Sequence, residues 1–269
     1  MARLEDGDQR PREVAAALSS AGEARTQVQG PRLLVAHGDL GLRAAVAVLL
    51  DGRVEVATAA TIAETLLALS RLTPDVVLVE HAPPRLDAAT AIHALRARTT
   101  HVPAIVLLSQ GQPGTIYDLA RLGAVSMLDQ PVPMGKLLDH LAAALGPGAN
   151  AVPHLGPHVT RAVDFVASHF AEARVGEVRR PLPVSRRHLV ELCARELGCS
   201  LEAFIARVRI EVAKRLLVAT DDKLERVAER AGFADASHLS RRFQEHTGLR
   251  PGAYRRTASR LAAHRGGPP

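Results

Sequence analysis

The run Pro74-Asp75-Val76-Val77-Leu78-Val79-Glu80 decides how the front half of the chain folds. Its apolar residues follow one another without alternation. That is the habit of a strand buried on both faces, in a parallel sheet covered by helices. Working outward, the same kind of short run recurs at Pro31–Ala36, Arg53–Ala57, Pro103–Leu108 and Ala124–Leu128. Between these runs lie stretches of helical periodicity, at Leu42–Leu50, Thr61–Leu72, Ala88–Arg98, Thr115–Leu122 and Met134–Leu145. Five strands alternating with five helices predict a five-stranded, doubly wound, flavodoxin-like α/β domain.

Past this region the strand signals stop. Gly146-Pro147-Gly148-Ala149-Asn150, with Pro153 and Pro157, reads as a linker. Helices are then predicted at Val159–Phe170, Leu201–Val218, Lys223–Arg230, Ser237–His246 and Pro251–Arg260, so the second half is all-α. The expected division is a mobile tail over 1–30 with one weak helical turn at Glu13–Leu18, an α/β domain over 31–147 and a linker over 148–157. A helical domain follows over 158–260, then a tail over 261–269.

Length agrees with two domains, since 269 residues divide into units of about 100–200. No run approaches the ~20 apolar residues of a membrane span. The first thirty residues are polar and lack the apolar core of a secretory signal. Cys193 and Cys199 are too few for a disulfide framework or a thiolate zinc site. A cytoplasmic protein is expected, with no membrane partner. Aromatics are 3% with no Trp, which disfavours base stacking as the grip on single strands. Net charge is −1 over residues 1–30, −1 over 31–150 and +8 over 151–269. A basic module behind a near-neutral one fits a polyanion-binding part joined to a sensing or assembly part. An Arg-rich surface from a GC-rich genome is the plainer alternative.

Within the basic module, Leu224, Val227, Ala228 and Ala231 share one helix face. Gly232 can turn the chain in the left-handed conformation, and Asp235 can cap the next helix. Leu239 and Phe243, four apart, pack that second helix on the first. The layout is a helix-turn-helix. Ala236, Ser237, His238, Ser240, Arg241 and Arg242 are left on the outward side, where Arg can grip guanine by two hydrogen bonds in the major groove. A helical hairpin with a solvated basic face is the alternative.

Residues 155–258 resemble the DNA-binding domain of the AraC/XylS family of transcription regulators. The resemblance rests on Ile210–Leu217, Val227-Ala228, Ala231-Gly232-Phe233, Ser237–Phe243, Thr247-Gly248-Leu249-Arg250-Pro251 and Tyr254-Arg255. It implies two helix-turn-helix units joined by the long helix Leu201–Val218, with recognition helices in successive major grooves about 34 Å apart. The first unit's recognition helix matches Val184–Gly198, with Arg186, Arg187 and His188 as candidate DNA contacts. Its supporting helix is expected over Val175–Leu182, where Pro181 and Pro183 shorten it. Glu191 stands where the family often places Arg. A carboxylate there repels phosphate, so this unit is expected to contribute position more than sequence readout.

Residues 31–147 resemble a response-regulator receiver domain, on the strand–helix rhythm, Pro74–Glu80, Pro84, Asp87, Gly123-Ala124 and Gln130-Pro131. The resemblance implies self-phosphorylation at the carboxyl ends of the strands. That chemistry requires an acidic pair for Mg²⁺, an aspartate nucleophile, a Ser/Thr and a Lys. Here His37 and Gly38 stand at the acidic pair, Glu80 at the aspartate, Leu108 at the Ser/Thr with Ser109 beside it, and Gln130 at the lysine. With only Glu80 and Asp39 left, the oxygen set for Mg²⁺ is incomplete. No metal site, no cofactor and no phosphotransfer are expected. Glu80 either imitates a phosphorylated state or marks a pocket that has drifted. His37 and His81 make too thin a set for another metal. The family's pairing face would run over Thr115–Leu145 and offer Leu119, Leu122, Leu137, Leu138 and Leu141, some of which must fill the core instead.

These readings favour a sequence-specific regulator of double-stranded DNA, homodimeric, with RNA polymerase as a further partner. The alternative is a protein-interaction module that binds DNA weakly through phosphates. An enzyme is not expected, because no Gly-rich phosphate loop or hydrolase nucleophile motif is present.

Overall fold

The computed structural model describes residues 30–99, 101–109, 113–146 and 152–265. The tail before residue 30, where a helical turn is expected at Glu13–Leu18, residues 148–151 of the expected linker and the last four residues lie outside them. The α/β half runs β1 (Arg32–Ala36), α1 (Leu40–Leu49), β2 (Glu55–Ala59), α2 (Ile62–Arg71), β3 (Val76–His81), α3 (Ala88–Arg96), β4 (Ala104–Leu108), α4 (Pro113–Arg121), β5 (Ala124–Asp129) and α5 (Met134–Leu145). All strands are parallel, in the order β2-β1-β3-β4-β5. That is the flavodoxin-like doubly wound order, which places its loops of interest at the carboxyl ends of the strands.

Strand residues alternate between two cores, as a period of two requires. Leu33, Val35, Leu78, Ile105 and Leu107 face α1 and α5. Leu34, Ala36, Val77, Val79 and Val106 face α2, α3 and α4. Both sets are buried, which is why the strands read as continuous apolar runs. Helix starts follow local capping. Asp39 Oδ1 accepts from Leu42 N at 2.8 Å and Thr61 Oγ1 from Glu64 N at 3.2 Å. The strand predicted from Arg53 begins two residues later, at Glu55, because Arg53 and Val54 donate backbone hydrogen bonds to Leu50 O and close a turn.

The helical half runs α6 (Pro157–His169), α7 (Val175–Arg179), α8 (Arg186–Glu196), α9 (Leu201–Ala219), α10 (Leu224–Arg230), α11 (Ala236–Thr247) and α12 (Pro251–Arg265). Helix α7 stops three residues short of the predicted Leu182, ahead of Pro181, which has no amide proton to continue it. One apolar core continues from the sheet through α1 and α5 into α6 and α9, and on to Phe243 of α11. Leu155, in the stretch read as linker, is buried in it.

This packing decides which leucines of the Thr115–Leu145 face fill the core. Leu119, Leu137, Leu138 and Leu141 are buried, the last three in the core that runs on into the helical half. Leu122 is half-buried, and the large apolar side chains left exposed nearby are Ile116, Tyr117 and Val125. Among the described residues no helix is long and apolar enough to cross a membrane.

Candidate nucleic-acid interface

The second helix-turn-helix unit is built by α10 and α11. Val227 and Ala228 on α10 and Leu239 and Phe243 on α11 are fully buried. Phe243 meets Tyr254 edge to face at 5.3 Å between ring centres, which ties α11 to α12. The turn depends on Gly232. Its φ is +79°, and a Cβ there would lie 2.5 Å from the Ala171 backbone, so both conformation and space require glycine. Phe233 N then bonds back to Ala228 O at 2.8 Å. Asp235 Oδ1 accepts from His238 N at 2.7 Å and starts α11.

The sequence-predicted contact residues come together along α11. Ser237, Arg241 and Arg242 are exposed, and Ala236, His238 and Ser240 are half-buried at the edge of the same face. Ala236, Ser237, Ser240 and Arg241 line an open groove with Leu224, Gln244 and Arg250. Arg242 Nη1 is held by Glu245 Oε2 at 3.2 Å. Among the described residues Arg241 has no such carboxylate partner. The two arginines therefore differ: one is committed within the helix, the other is available to a ligand.

The first unit repeats the pattern on α8. Ser185 Oγ accepts from His188 N at 3.1 Å as the cap, while Leu189, Leu192 and Cys193 face inward. Burial pushes the Cys193 thiol up to about 11, which makes it an inert core residue. Arg186, Arg187 and His188 are all exposed. Glu191 turns out to be a partner of its neighbours: its Oε1 accepts from Arg187 Nε at 3.0 Å, and its Oε2 lies 4.0 Å from His188 Nδ1. Arg186 is left without a carboxylate among the described residues.

Two arginines that set the geometry escaped the sequence reading as structural ties. Arg209 donates to the Phe170, Ala171 and Ala173 carbonyls at 2.7–3.0 Å, collecting the free carbonyls after α6. Arg255 donates to Leu217 O at 3.1 Å and Asp222 O at 2.6 Å, bracing the passage from α9 to α10. Arg255 belongs to the stretch that carries the family resemblance, but spacing carries no sign of which carbonyls it reaches.

At the other end of the chain, the six pocket residues of the α/β half also come together. Glu80 is 5% exposed, and its Oε2 accepts from Gly38 N at 2.8 Å and Arg85 Nη2 at 3.1 Å. The Arg85 guanidinium fills the space over Gly38, where a Cβ would sit 2.1 Å from its Cζ. Asp39 N donates to His37 Nδ1 at 2.9 Å, so the neutral ring carries its proton on Nε2. That nitrogen faces Gln130 Oε1 at 3.3 Å and Glu80 Oε1 at 3.9 Å. Burial pulls the His37 pKa down, against the opposing pull of Glu80. Gln130 Nε2 reaches Ser109 Oγ at 3.5 Å, while the Leu108 side chain is buried and its carbonyl accepts from Gln130 N at 2.8 Å. Asp39 is spent as the α1 cap. Among the described residues no group of three or more His, Cys, Asp or Glu is placed to hold a metal ion.

A family model described as a helix-turn-helix domain matches residues 180–257. The transcriptional activator NphR of a Rhodococcus species is 27% identical over 266 residues, covering 90% of this chain and 77% of that protein. Among solved structures, the C-terminal domain of AraT, a response regulator from Geobacillus stearothermophilus, is 32% identical, with a TM-score of 0.37 over 38% of this chain and 87% of that one. A CheY-like receiver domain from Methanospirillum hungatei is 19% identical, with a TM-score of 0.41 over 45% of this chain and 98% of that one. Residues 180–257 thus match a helix-turn-helix domain, and the chain is similar over most of its length to a transcriptional activator.

Proposed function

We propose that the chain reads specific duplex DNA through α8 and α11 and that its receiver-type domain works without phosphorylation. The observation that carries the first part is Arg241, which is exposed on the capped helix α11 and has no carboxylate partner among the described residues. Ser237, Ser240 and Arg242 flank it, with Ala236 and His238 half-buried at the edge of the same face. Arg186, Arg187 and His188 serve the neighbouring groove. The Glu191 clasp on Arg187 supports a positional role for that unit, since a neutralised arginine gains less from phosphate. Boundaries at 31–147 and 158–260 separate the two functions.

Internal neutralisation of Glu80 by Arg85 supports the second part. A carboxylate whose oxygen is already held by a guanidinium and a backbone amide presents no outward charge for neighbouring loops to read. Glu80 is then a buried structural acid and does not imitate a phosphoryl group. The domain serves assembly: the regulator is a homodimer that pairs through exposed Ile116, Tyr117 and Val125, since the opposite side is covered by the helical half. Two copies on one operator gain affinity through effective concentration. The protein acts in the cytoplasm, takes RNA polymerase as a further partner, and catalyses no reaction.

Selection from a random duplex library with the purified full-length chain tests this reading. A recurrent motif with two parts about one helical turn apart is expected. Recovery of unselected sequence, with affinity that collapses as salt rises, would leave only the phosphate-binding alternative.

A further inference from the structure

We propose that the α/β half is a splint for the DNA-binding half, with α1 holding the linker helix α9 and so setting the angle between the two recognition helices. The proposal rests on the DNA-reading function above and concerns Gly41, Asp51, Thr58, Arg207 and Arg215 as positioning residues. Helix α1 is buried on the side facing the sheet and also on the side facing α6 and α9, with Arg43, Ala44, Ala45, Val46, Val48 and Leu49 all inside. At Gly41 the approach is backbone to backbone, since a Cβ there would lie 1.9 Å from Ala167 O on α6. No other residue type allows the two helices this close.

Polar ties fix the register of that contact. Arg207 Nη2 on α9 meets Asp51 Oδ2 at 2.9 Å, just past the end of α1. Arg215, two turns further along α9, bonds Thr58 Oγ1 on β2 and reaches Arg43 O at 3.4 Å. The end of α1 and the edge strand β2 are thus both tied to the linker helix by arginines of α9.

Physical need and geometry agree. A lone helix of 19 residues spans about 28 Å, and both α8 and α11 pack against it. Any bend in it misaligns two helices that must enter successive grooves. Packing along its length restricts that bend before DNA arrives, and preorganisation lowers the cost of binding. The docked arrangement leaves Arg186, Arg187, Ser237 and Arg241 exposed. The contact therefore supports the reading faces and does not cover them.

The test uses the full-length chain and a duplex selected by the wild type, with versions carrying one to five extra base pairs between its two parts. Gly41→Val is compared with Asp51→Arg, Arg207→Asp and the double reversal. Hydrogen exchange without DNA reads the docking. Gly41→Val is expected to speed exchange in α1 and α9, to weaken the selected duplex about tenfold, and to leave random duplex unchanged. It should also flatten the penalty for added base pairs. Each single reversal is expected to do the same about threefold, and the double reversal to restore the wild-type spacing profile. A merely structural contact would not move that profile. If Gly41→Val fails to fold, the reversals give the same reading. Undocked chains that bind the duplex as well as wild type, or more tightly, overturn the splint. Unchanged exchange in Gly41→Val removes the docking itself, independently of any DNA. A wild type that selects no duplex overturns the DNA-reading function first, and the splint's purpose with it.

Discussion

The amide of Met134, at the start of α5, donates to Asp164 Oδ1 on α6 at 2.8 Å. A carboxylate of the helical half thereby caps a helix of the α/β half, whose own N-cap is Pro133 and offers no side-chain acceptor. Capping between domains makes the docking part of each half's stability.

Asp164→Ala is accordingly expected to cost roughly 0.5–2 kcal/mol, the usual loss on removing a cap. Burial raises the Asp164 pKa, so its charge is held at a cost near neutral pH. Asp164→Asn keeps an acceptor oxygen without that charge and should fall between wild type and the alanine variant in thermal unfolding. Asparagine as damaging as alanine would show that the charge itself is needed.

Stability should fall on mild acidification. Burial lowers the folded-state pKa of both His37 and His246 below the ordinary 6.5. The unfolded chain then binds more protons than the native one in the window just under 6.5. The contribution is complete above that value and is lost as pH drops through the window. Denaturant midpoints from pH 7.5 to 5.5 measure the slope, and His37→Gln and His246→Gln should each reduce it. A slope untouched by either substitution would place its origin elsewhere.

Arg241 and Arg242 are adjacent but should behave differently on DNA. Arg241→Ala is expected to cost roughly 1–3 kcal/mol on the selected duplex and much less on random duplex. Arg242, already paired with Glu245, should cost less than 1 kcal/mol, as an exposed pair does. Equal losses at both positions on both duplexes would reduce α11 to a phosphate contact.

In the pocket, Arg85→Ala strands a buried carboxylate and should cost roughly 1–3 kcal/mol, moderated because the Arg85 side chain is half exposed and water can follow. Glu80→Gln should leave DNA affinity within about twofold. Acetyl phosphate with Mg²⁺ should give no phosphoprotein by intact mass. A large affinity loss in Glu80→Gln, or an adduct at Glu80 or Ser109, would restore a phosphoryl-like role.

Much of this was legible in one dimension. Strand and helix positions came within a few residues, because Leu33/Val35 and Leu34/Ala36 must alternate between two covered faces and Asp39, Ser185 and Asp235 cap by local geometry. Gly232 was recognised as the turn, and Ser237 to Arg242 as the outward face. The pairing of Glu191 leaves no mark in the sequence: its charge reads as repulsive until Arg187 is seen across one helical turn. Helix α1 did carry a signal of its surroundings. Leu40–Leu50 is apolar on nearly every side, as a helix covered on two faces must be.

By itself, then, the amino-acid order determined the parallel sheet and the two helix-turn-helix units, because periodicity, caps and residue type act over a few neighbours. Tertiary structure alone decided that the two halves share a core, that Arg85 closes over Glu80, and that Arg215 reaches Thr58 from 157 residues away. Those contacts depend on where whole elements come to rest. Their partners carry no mark of one another in the chain, since burial and hydrogen-bond geometry arise only once the helices are packed.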